Sequence, residues 1–413
     1  MPSPPFDPTS AHFLADPYRA YAELRGAKGG GLIEVGAPYK AWWVTSHELV
    51  TQVCEQPKVF VKPGGRRDPP ARPFGITAGL DDGLFFLDGD DHRRVRAVME
   101  DLFKKAIQGA EARAQAVADR LVGEALAAGR CDLVRDYAAK LASTVFMSLL
   151  GIPSPDEGPQ HAVERLIVDG WLRLMLARHD KTLHPLLRAE GGTAGMALRS
   201  YLQLRAAELR DVTGDASILA GIARRVVPRD QQPGNGEMSP DEALNTAAHF
   251  ALGGYLSTEF LIGSGVLNLL RHPAQWALLQ REPERLGAAV EEMLRFDAPF
   301  QMADRWVDKD ADLGATTIPA HSRVVVVYGA ANRDPAAFAE PDRFDIGRGD
   351  ASRHFGFGHG VHRCIGEPLA RTVAGVAVRT LLQRAPWVRL GEVGPWGSDP
   401  YFRALTRAEL LFR

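Results

Sequence analysis

A glycine-rich segment near the C-terminus, residues 355–371, constrains this chain more strongly than any other stretch. It reads Phe-Gly-Phe-Gly-His-Gly-Val-His-Arg-Cys-Ile-Gly-Glu-Pro-Leu-Ala-Arg. Glycines at 356, 358 and 360 permit tight turns and let the backbone approach a flat partner closely. Glu367 and Pro368 then occupy the first turn of a predicted helix, where proline is well tolerated. Core packing alone does not require this spacing of glycines, so the segment is expected to bind something.

Cys364 lies in this loop at the amino end of the predicted helix, where free N–H groups and the helix dipole favour a thiolate. A thiolate held against a flat face is the arrangement that ligation of haem iron by cysteine requires. The alternative is a buried apolar cysteine, which the three glycines before Cys364 and Gly366 after it argue against. The other cysteines, Cys54 and Cys131, are distant in sequence, so neither a CxxC metal site nor a disulfide framework is indicated.

The charge balance of the 413 residues is close to neutral, with 49 Lys and Arg against 51 Asp and Glu. This balance argues against a nucleic-acid-binding protein. The longest apolar run, 244–270, contains Asn245, His249 and Glu259, so we expect a buried helix and no membrane association. The N-terminus lacks the basic and apolar regions of a signal peptide, and we expect a cytoplasmic protein.

Hydrophobic periodicity predicts a mainly α protein with small β-sheets. No linker or repeat interrupts the chain, so we expect one domain over 1–413, with loops at 62–83 and 226–240. Helices are predicted at 17–24, 92–103, 110–128, 143–150, 160–178, 193–211, 240–271, 284–296 and 367–385. Strands are predicted at 31–35, 41–45, 311–313, 323–327 and in the C-terminal tail.

The cysteine segment resembles the haem-binding signature of cytochromes P450. The matching positions are Phe357, Gly358, Gly360, His362, Cys364 and Gly366. Further family landmarks extend the resemblance over nearly the whole chain: 88–96, 271–273, Glu292 with Arg295, 332–335, and 341–344 with Arg343. The resemblance implies the cytochrome P450 fold of the soluble bacterial type around a buried haem b. It also implies a structural cluster of Glu292, Arg295 and Arg343.

The resemblance assigns Cys364 as the axial iron ligand and places Phe357, Gly358 and Gly366 in the haem-binding loop. It assigns the haem propionates to His92, Arg96, Arg305 and His362. Buried carboxylates do require such partners, and His92 and Arg96, four residues apart, share one face of a helix. Read without the resemblance, this pair would be an ordinary solvated face.

By resemblance, the protein is a haem-thiolate oxidoreductase that activates O2. Because no GxGxxG unit follows a strand, electrons from NAD(P)H are expected through separate proteins, either ferredoxin with ferredoxin reductase or flavodoxin. A basic patch could dock such a partner, although the same residues could be ordinary surface charges. Its members would be Arg93, Arg94, Lys104, Lys105 and Arg371.

The long helix departs from the family pattern, which places an acid and a threonine above the haem. The corresponding residues are Leu256 and Ser257, preceded by Gly253 and Gly254, which allow the helix to widen for dioxygen. Leucine cannot relay a proton. Glu259, three residues further on, lies about 60° round the helix from Leu256 and is a poor substitute.

Three explanations of this departure remain open. The substrate supplies the proton route, or Arg403 organises water, or the enzyme couples aromatic rings without inserting oxygen. The last is similar to the cyclodipeptide-coupling branch of bacterial cytochromes P450, a likeness that covers residues 256–258 and Arg403 only.

We expect the substrate to be a mid-sized, ring-containing organic molecule of natural-product biosynthesis. Its pocket is predicted from the resemblance to include Phe85, Phe86, Trp171, Phe300, Met302 and Phe402. The favoured function is oxidation by monooxygenation. Oxidative C–C or C–O coupling and a non-catalytic haem protein that binds ligands are the alternatives. The sequence does not identify the substrate, the regiochemistry, the redox partner or the oligomeric state.

Overall fold

Helices dominate the computed structural model, which describes residues 7–26, 30–36, 40–62, 83–153, 159–177 and 185–413. A six-residue π-helical stretch at Leu133–Ala138 leads into α6. The α-helices of the described ranges are α1 (Ala11–Ala15), α2 (Pro17–Gly26), α3 (His47–Glu55), α4 (Gly89–Ala106), α5 (Ala110–Ala128), α6 (Ala139–Leu150), α7 (Pro159–Ala177), α8 (Pro185–Leu209), α9 (Ile218–Ala223), α10 (Pro240–Arg271), α11 (Pro273–Arg281), α12 (Leu286–Phe296), α13 (Tyr328–Ala331) and α14 (Glu367–Arg384).

The strands form three sheets. The five-stranded sheet has the order β1-β2-β8-β5-β3, with β2 and β8 parallel and the other pairs antiparallel. A three-stranded sheet has the order β4-β10-β9, and β6 pairs with β7. The strands are β1 (Leu32–Val35), β2 (Ala41–Val44), β3 (Phe60–Val61), β4 (Arg130–Asp132), β5 (Ala303–Val307), β6 (Ala311–Leu313), β7 (Thr316–Ile318), β8 (Arg323–Val326), β9 (Arg389–Val393) and β10 (Ala408–Leu411).

Helix α10 is the centre of the molecule. A capping box starts it: the Ser239 hydroxyl accepts from the Glu242 N–H, and the Glu242 carboxylate accepts from the Ser239 N–H. Pro240 at the first helical position fits the same start. By length and composition this helix could span a bilayer, but 78% of its apolar window is buried inside the protein. It therefore serves as the core helix that the polar residues within the run predicted.

The largest hydrophobic cluster surrounds α10 and includes residues of α5, α6, α12 and α14. Two smaller clusters cover the faces of the five-stranded sheet. The loop 355–366 enters between the helical part and this sheet, and its end continues into α14. The fold thereby brings α4, α10, β5 and the cysteine loop to one interior space.

The expected fold class is confirmed, and most predicted elements are present with small shifts at their ends. The predicted 92–103 helix begins earlier, at Gly89, and the 193–211 helix begins at Pro185. The elements that were not predicted are helices α1, α3, α9, α11 and α13 and strands β3, β4, β5 and β7. Most of the predicted 62–83 loop, residues 63–82, lies outside the described residues. The 226–240 loop is anchored by a bridge between Val226 and Met238.

Candidate active site

The cysteine loop turns tightly before α14. The Cys364 N–H donates to the Phe357 carbonyl at 2.9 Å, and Gly358 N–H donates to Phe355 at 2.8 Å. Gly358 and Gly360 have φ of +68° and +71°, a conformation that residues with a Cβ rarely adopt. A side chain at Gly360 would also collide with the Cys54 carbonyl. The glycine spacing noted in the sequence is therefore a backbone requirement of this turn.

Cys364 is surrounded by protein, yet its side chain is accessible because it faces an interior cavity. Burial raises the pKa of its thiol above the ordinary value, and the N–H groups of Gly366 and Glu367 partly offset that effect. The helix amino end therefore favours the thiolate, as expected, but does not outweigh burial. A cation in front of the sulfur would supply the remaining stabilisation.

One wall of the cavity carries imidazole and guanidinium groups. The His92 and His362 rings lie 4.4 Å apart, and His362 Nε2 is 2.8 Å from an Asp88 carboxylate oxygen. Arg96 donates to the carbonyls of Val361 at 3.0 Å and Arg363 at 2.8 Å, and so clamps the cysteine loop. Burial, reinforced by Arg96, lowers the pKa of His92 to about 4.

Arg305, on β5, lies in the same wall with only 2% of its surface exposed, and it donates to the neighbouring Asp304 carbonyl at 2.8 Å. The nearby Asp88 is engaged by His362, so the described residues leave this wall with more positive than negative groups. Buried cations require anionic partners. The two carboxylates of haem would supply them while its iron meets Cys364, so the residues fit the expected cofactor.

The opposite wall is the middle of α10. Gly253, Gly254, Leu256 and Ser257 all line the cavity, together with Thr258. Apart from its own helix backbone and chain neighbours, no atom of the described residues lies within 4 Å of the position of a Cβ at Gly253, whereas a Cβ at Gly254 would overlap the Phe146 ring. The Ser257 hydroxyl donates to the Gly253 carbonyl at 2.7 Å, so the predicted alcohol is anchored to the helix.

Glu259, the only acid near this stretch in the sequence, does not face the cavity. It is 2% exposed, and Arg173 of α7 donates to it at 2.9 Å. Arg173 also donates to Asp169 at 2.8 Å, and Asp169 accepts from the Tyr255 hydroxyl. This ionic group fixes α7 to α10, so Glu259 has a structural partner and cannot replace the acid missing at position 256.

Aromatic rings close the rest of the cavity. Phe85 contacts Phe86 and Phe300, with ring centroids 4.9 and 6.2 Å apart, and Phe300 contacts Phe402 at 5.3 Å. All four line the cavity, as the sequence predicted. Phe300 and Phe402 are joined by a backbone bridge, which brings the C-terminal loop beside β5.

Arg403 does not reach the cavity, and the idea that it organises water there is wrong. Its guanidinium donates to Asp297 at 3.2 Å and to the Leu14 carbonyl at 2.8 Å, and it stacks 3.5 Å above the Trp396 ring. Phe402 points into the cavity instead. Through its hydrogen bonds to the Leu14 and Ala15 carbonyls, Arg403 fastens the C-terminal loop to the N-terminal segment.

Two predicted pocket residues also lie elsewhere. Met302 is 1% exposed and packs in the cluster that contains Phe13 and Tyr21, because its neighbour Ala303 takes the cavity side. Trp171 packs against Tyr201, with ring centroids 6.1 Å apart, and joins the main core between α7 and α8. Neither residue lines the cavity.

The expected Glu–Arg–Arg cluster forms with a different third member. Arg295 donates to Glu292 at 2.7 and 2.8 Å, and both side chains are fully buried. The second cation is Arg348, 3.1 Å from the Glu292 carboxylate and 8% exposed. Arg343, predicted for this role, is 58% exposed and pairs with Glu340. Its backbone carbonyl, by contrast, accepts from Arg295.

Several lining residues were not found from the sequence. His249 lies on α10 one turn before Gly253, and this spacing is a signal that would have placed it on the cavity side. Phe146 on α6, Lys62 after β3 and Tyr328 on α13 also line the cavity. They come from distant elements, and no local pattern marks them.

Comparisons with known proteins agree with this geometry. The family described as Cytochrome P450 matches residues 37–406. The chain is 32% identical to cytochrome P450 monooxygenase PikC of Streptomyces venezuelae, over 97% of this chain and 92% of that protein. It is 33% identical to mycinamicin IV hydroxylase/epoxidase of Micromonospora griseorubida, over 90% of this chain and 88% of the relative.

Among solved structures, P450BioI in complex with an acyl carrier protein ligated to hexadec-9Z-enoic acid superimposes with a TM-score of 0.84 and 27% identity. The match covers 98% of this chain and 99% of that one. The chain therefore belongs to the cytochrome P450 family and is of the bacterial type. It is an oxidoreductase of the monooxygenase class, with haem as its cofactor, and the alternative of a non-catalytic haem protein is set aside.

Proposed function

We propose that this enzyme inserts one oxygen atom from O2 into a mid-sized, largely apolar organic molecule of bacterial secondary metabolism. The observation that carries the proposal is the cavity between Cys364 and the open face of α10 at Gly253, which is walled mainly by aromatic and aliphatic side chains. Apolar walls with a few placed polar groups suit such substrates. The relatives named above, one of them a hydroxylase and epoxidase of mycinamicin IV, support the same substrate class.

Haem, when bound through Cys364, supplies the activation of dioxygen. The protein's residues set the conditions for it. His92, Arg96, Arg305 and His362 would hold the propionate side, with His92 neutral at pH 7 because burial lowers its pKa to about 4. A neutral imidazole still donates one hydrogen bond to a carboxylate. The ring cluster around Phe300 gives the cavity an apolar wall.

Electrons are proposed to arrive from NAD(P)H through a ferredoxin and its reductase, or a flavodoxin, in the cytoplasm. Two residues of the cysteine loop have exposed side chains: Val361 is 48% exposed, and the side chain of Arg363, which also lines the cavity, is 42% exposed. Ion pairs within the protein engage several members of the basic patch that the sequence predicted, which leaves fewer free charges for docking. Arg94 is bound by Glu242 at 2.6 Å, and Arg371 by Glu291 at 2.6 Å. Arg363 is likewise paired with Glu367 at 2.9 Å, so no single arginine of this face is singled out as the docking contact.

A second candidate, oxidative coupling of aromatic rings without oxygen insertion, is favoured by the composition of the α10 wall. Leu256 is 2% exposed and lines the cavity at the position of the family acid, and Glu259 is engaged by Arg173. Proton delivery to bound oxygen is consequently left to the substrate or to water. Oxygen insertion and coupling both consume two external protons per O2, so this wall favours coupling only through an aromatic substrate that carries its own hydroxyl or N–H group.

The test is turnover with a surrogate ferredoxin and reductase on ligands that shift the iron spin state in a library screen. We expect mass spectrometry to show a product with one added oxygen, and loss of two hydrogens would instead establish coupling. Leu256→Glu and Leu252→Glu form a matched pair, because both leucines line the cavity one helical turn apart. A large rise in turnover confined to Leu256→Glu would refute the idea that the chemistry is adapted to a missing acid.

A further inference from the structure

Lys62 carries a charge into the interior that the site described above does not use. It follows β3, is only 4% exposed and lines the cavity. Its backbone N–H donates to the Asp88 carboxylate, which fixes the start of the side chain. The ammonium nitrogen lies 4.0 Å from the centroid of the Phe85 ring. The charged end of the side chain is therefore placed between an aromatic pocket wall and the cationic wall.

The charged neighbours of Lys62 are mainly other cations and imidazoles. Burial, reinforced by Arg305, lowers the pKa of Lys62 well below its ordinary value, and Lys62 in turn contributes to the lowered pKa of His92 and His362, which burial mainly causes. Two carboxylates face it, but both are engaged: Asp88 lies 2.8 Å from His362, and Asp304 accepts from Arg323 at 2.9 Å. Cys54 is buried, which raises the pKa of its thiol and keeps it neutral.

An ammonium has three hydrogen-bond donors. Within the described ranges, none of the hydrogen bonds starts from the Lys62 ammonium, and the face of Phe85 is its one close partner. A buried cation in this situation must either lose its proton or bind an anion. The surrounding positive groups make the position attractive to an anion of the size of a carboxylate.

We propose that Lys62 is a carboxylate-binding residue of the cavity, and that its ligand is a haem propionate or the carboxylate of a bound substrate. Its position beside Arg305 and His92 matches the propionate side, and its contact with Phe85 matches the substrate side. The proposal adds a residue from the β3 end to the four propionate partners implied by the family resemblance. Phe85, whose ring contacts the Lys62 ammonium, belongs to the same carboxylate-binding site.

The test compares Lys62→Met, Lys62→Arg and the control Lys58→Met in the haem-loaded enzyme. Lys58 is an exposed lysine four residues earlier on the same segment. If the ligand is a propionate, Lys62→Met will lose haem to apomyoglobin about tenfold faster than wild type, as expected for one charge-assisted bond. The propionate bending band of the resonance Raman spectrum will also shift. Lys62→Arg and Lys58→Met will stay close to wild type in both measurements.

A second arm uses dodecanoate and dodecanol as probes, followed by the spin-state change of the iron. If the ligand is a substrate carboxylate, Lys62→Met will lose haem at the wild-type rate. Its affinity for dodecanoate relative to dodecanol will be about tenfold lower than that of wild type. The proposal is overturned if Lys62→Met matches Lys58→Met in haem loss, in the Raman band and in probe preference. The proposal is also overturned if the wild type shows no preference for dodecanoate over dodecanol and Lys62→Met leaves the rate of haem loss and the Raman band unchanged.

Discussion

The contrast between Gly253 and Gly254 allows a prediction about the middle of α10. In Gly254→Ala, the new methyl would overlap three carbons of the Phe146 ring, which is itself 3% exposed in the core. Overpacking of this kind costs about 1–3 kcal/mol, and the better helix propensity of alanine returns about 1 kcal/mol. We expect Gly254→Ala to lower the free energy of unfolding by up to about 2 kcal/mol, as the balance of these effects.

Gly253→Ala is the matched control, because the part of the chain that the structure describes places no side chain within 4 Å of its Cβ position. The alanine gains helix propensity without a steric clash, so we expect the free energy of unfolding of Gly253→Ala to exceed that of wild type by about 0.5–1 kcal/mol. Its methyl enters the cavity, however, and should weaken binding of the largest ligands.

Urea unfolding followed by circular dichroism measures both variants, and a cycle with Phe146→Ala identifies the cause. If the ring is responsible, the Gly254→Ala penalty will vanish once Phe146 is truncated, which gives a coupling energy of at least about 1 kcal/mol. Equal unfolding midpoints for the two alanine variants would refute the reasoning, as would a penalty that persists without the ring.

Three further predictions concern groups around the site. Hydrogen bonds from His354 and Arg371 outweigh burial and hold the pKa of Glu291 at about 2, below its ordinary value of 4.5. The unfolded state therefore binds more protons between these values, and wild type should lose more stability than Glu291→Gln as the pH falls from 5 to 3 in urea titrations. Arg348→Met should destabilise the protein by about 1.5–3 kcal/mol in urea, because it removes one of the two buried cations that contact Glu292 and leaves Arg295 in place. Arg343→Met should have little effect, and the reverse order would contradict the assigned cluster. Arg403→Met should lower the midpoint of thermal unfolding yet leave ligand affinity, measured by spin-state titration, unchanged. Altered ligand affinity would contradict the position of Arg403 outside the cavity.

Features set by local sequence were predictable. The glycines around Cys364 are required by the turn that they form, and α10 begins at the Ser239–Glu242 capping box and runs to Arg271. The wall residues Phe85 and Phe300 were placed through the family resemblance. These features depend on neighbours in the chain or on motifs with fixed spacing.

Features set by tertiary contacts were not predictable. Whether Arg348 or Arg343 pairs with Glu292 depends on the path of an irregular segment, and both are arginines in the same stretch. Met302 and Arg403 were assigned to the cavity by position, but the side that each residue faces depends on the local strand geometry. Lys62 carried no motif at all. Its importance is visible only when β3 is packed beside Asp88.

The place of β10 in the three-stranded sheet has a consequence for the order of folding. Ala408–Leu411 lies between β4 and β9, and nearby Tyr401 and Phe402 line the cavity. The pairing of β10 with β4 joins distant parts of the chain, and such contacts form late because a long loop must close first. The cavity wall beside β10 is therefore completed late in folding, and tight haem retention follows the docking of this strand.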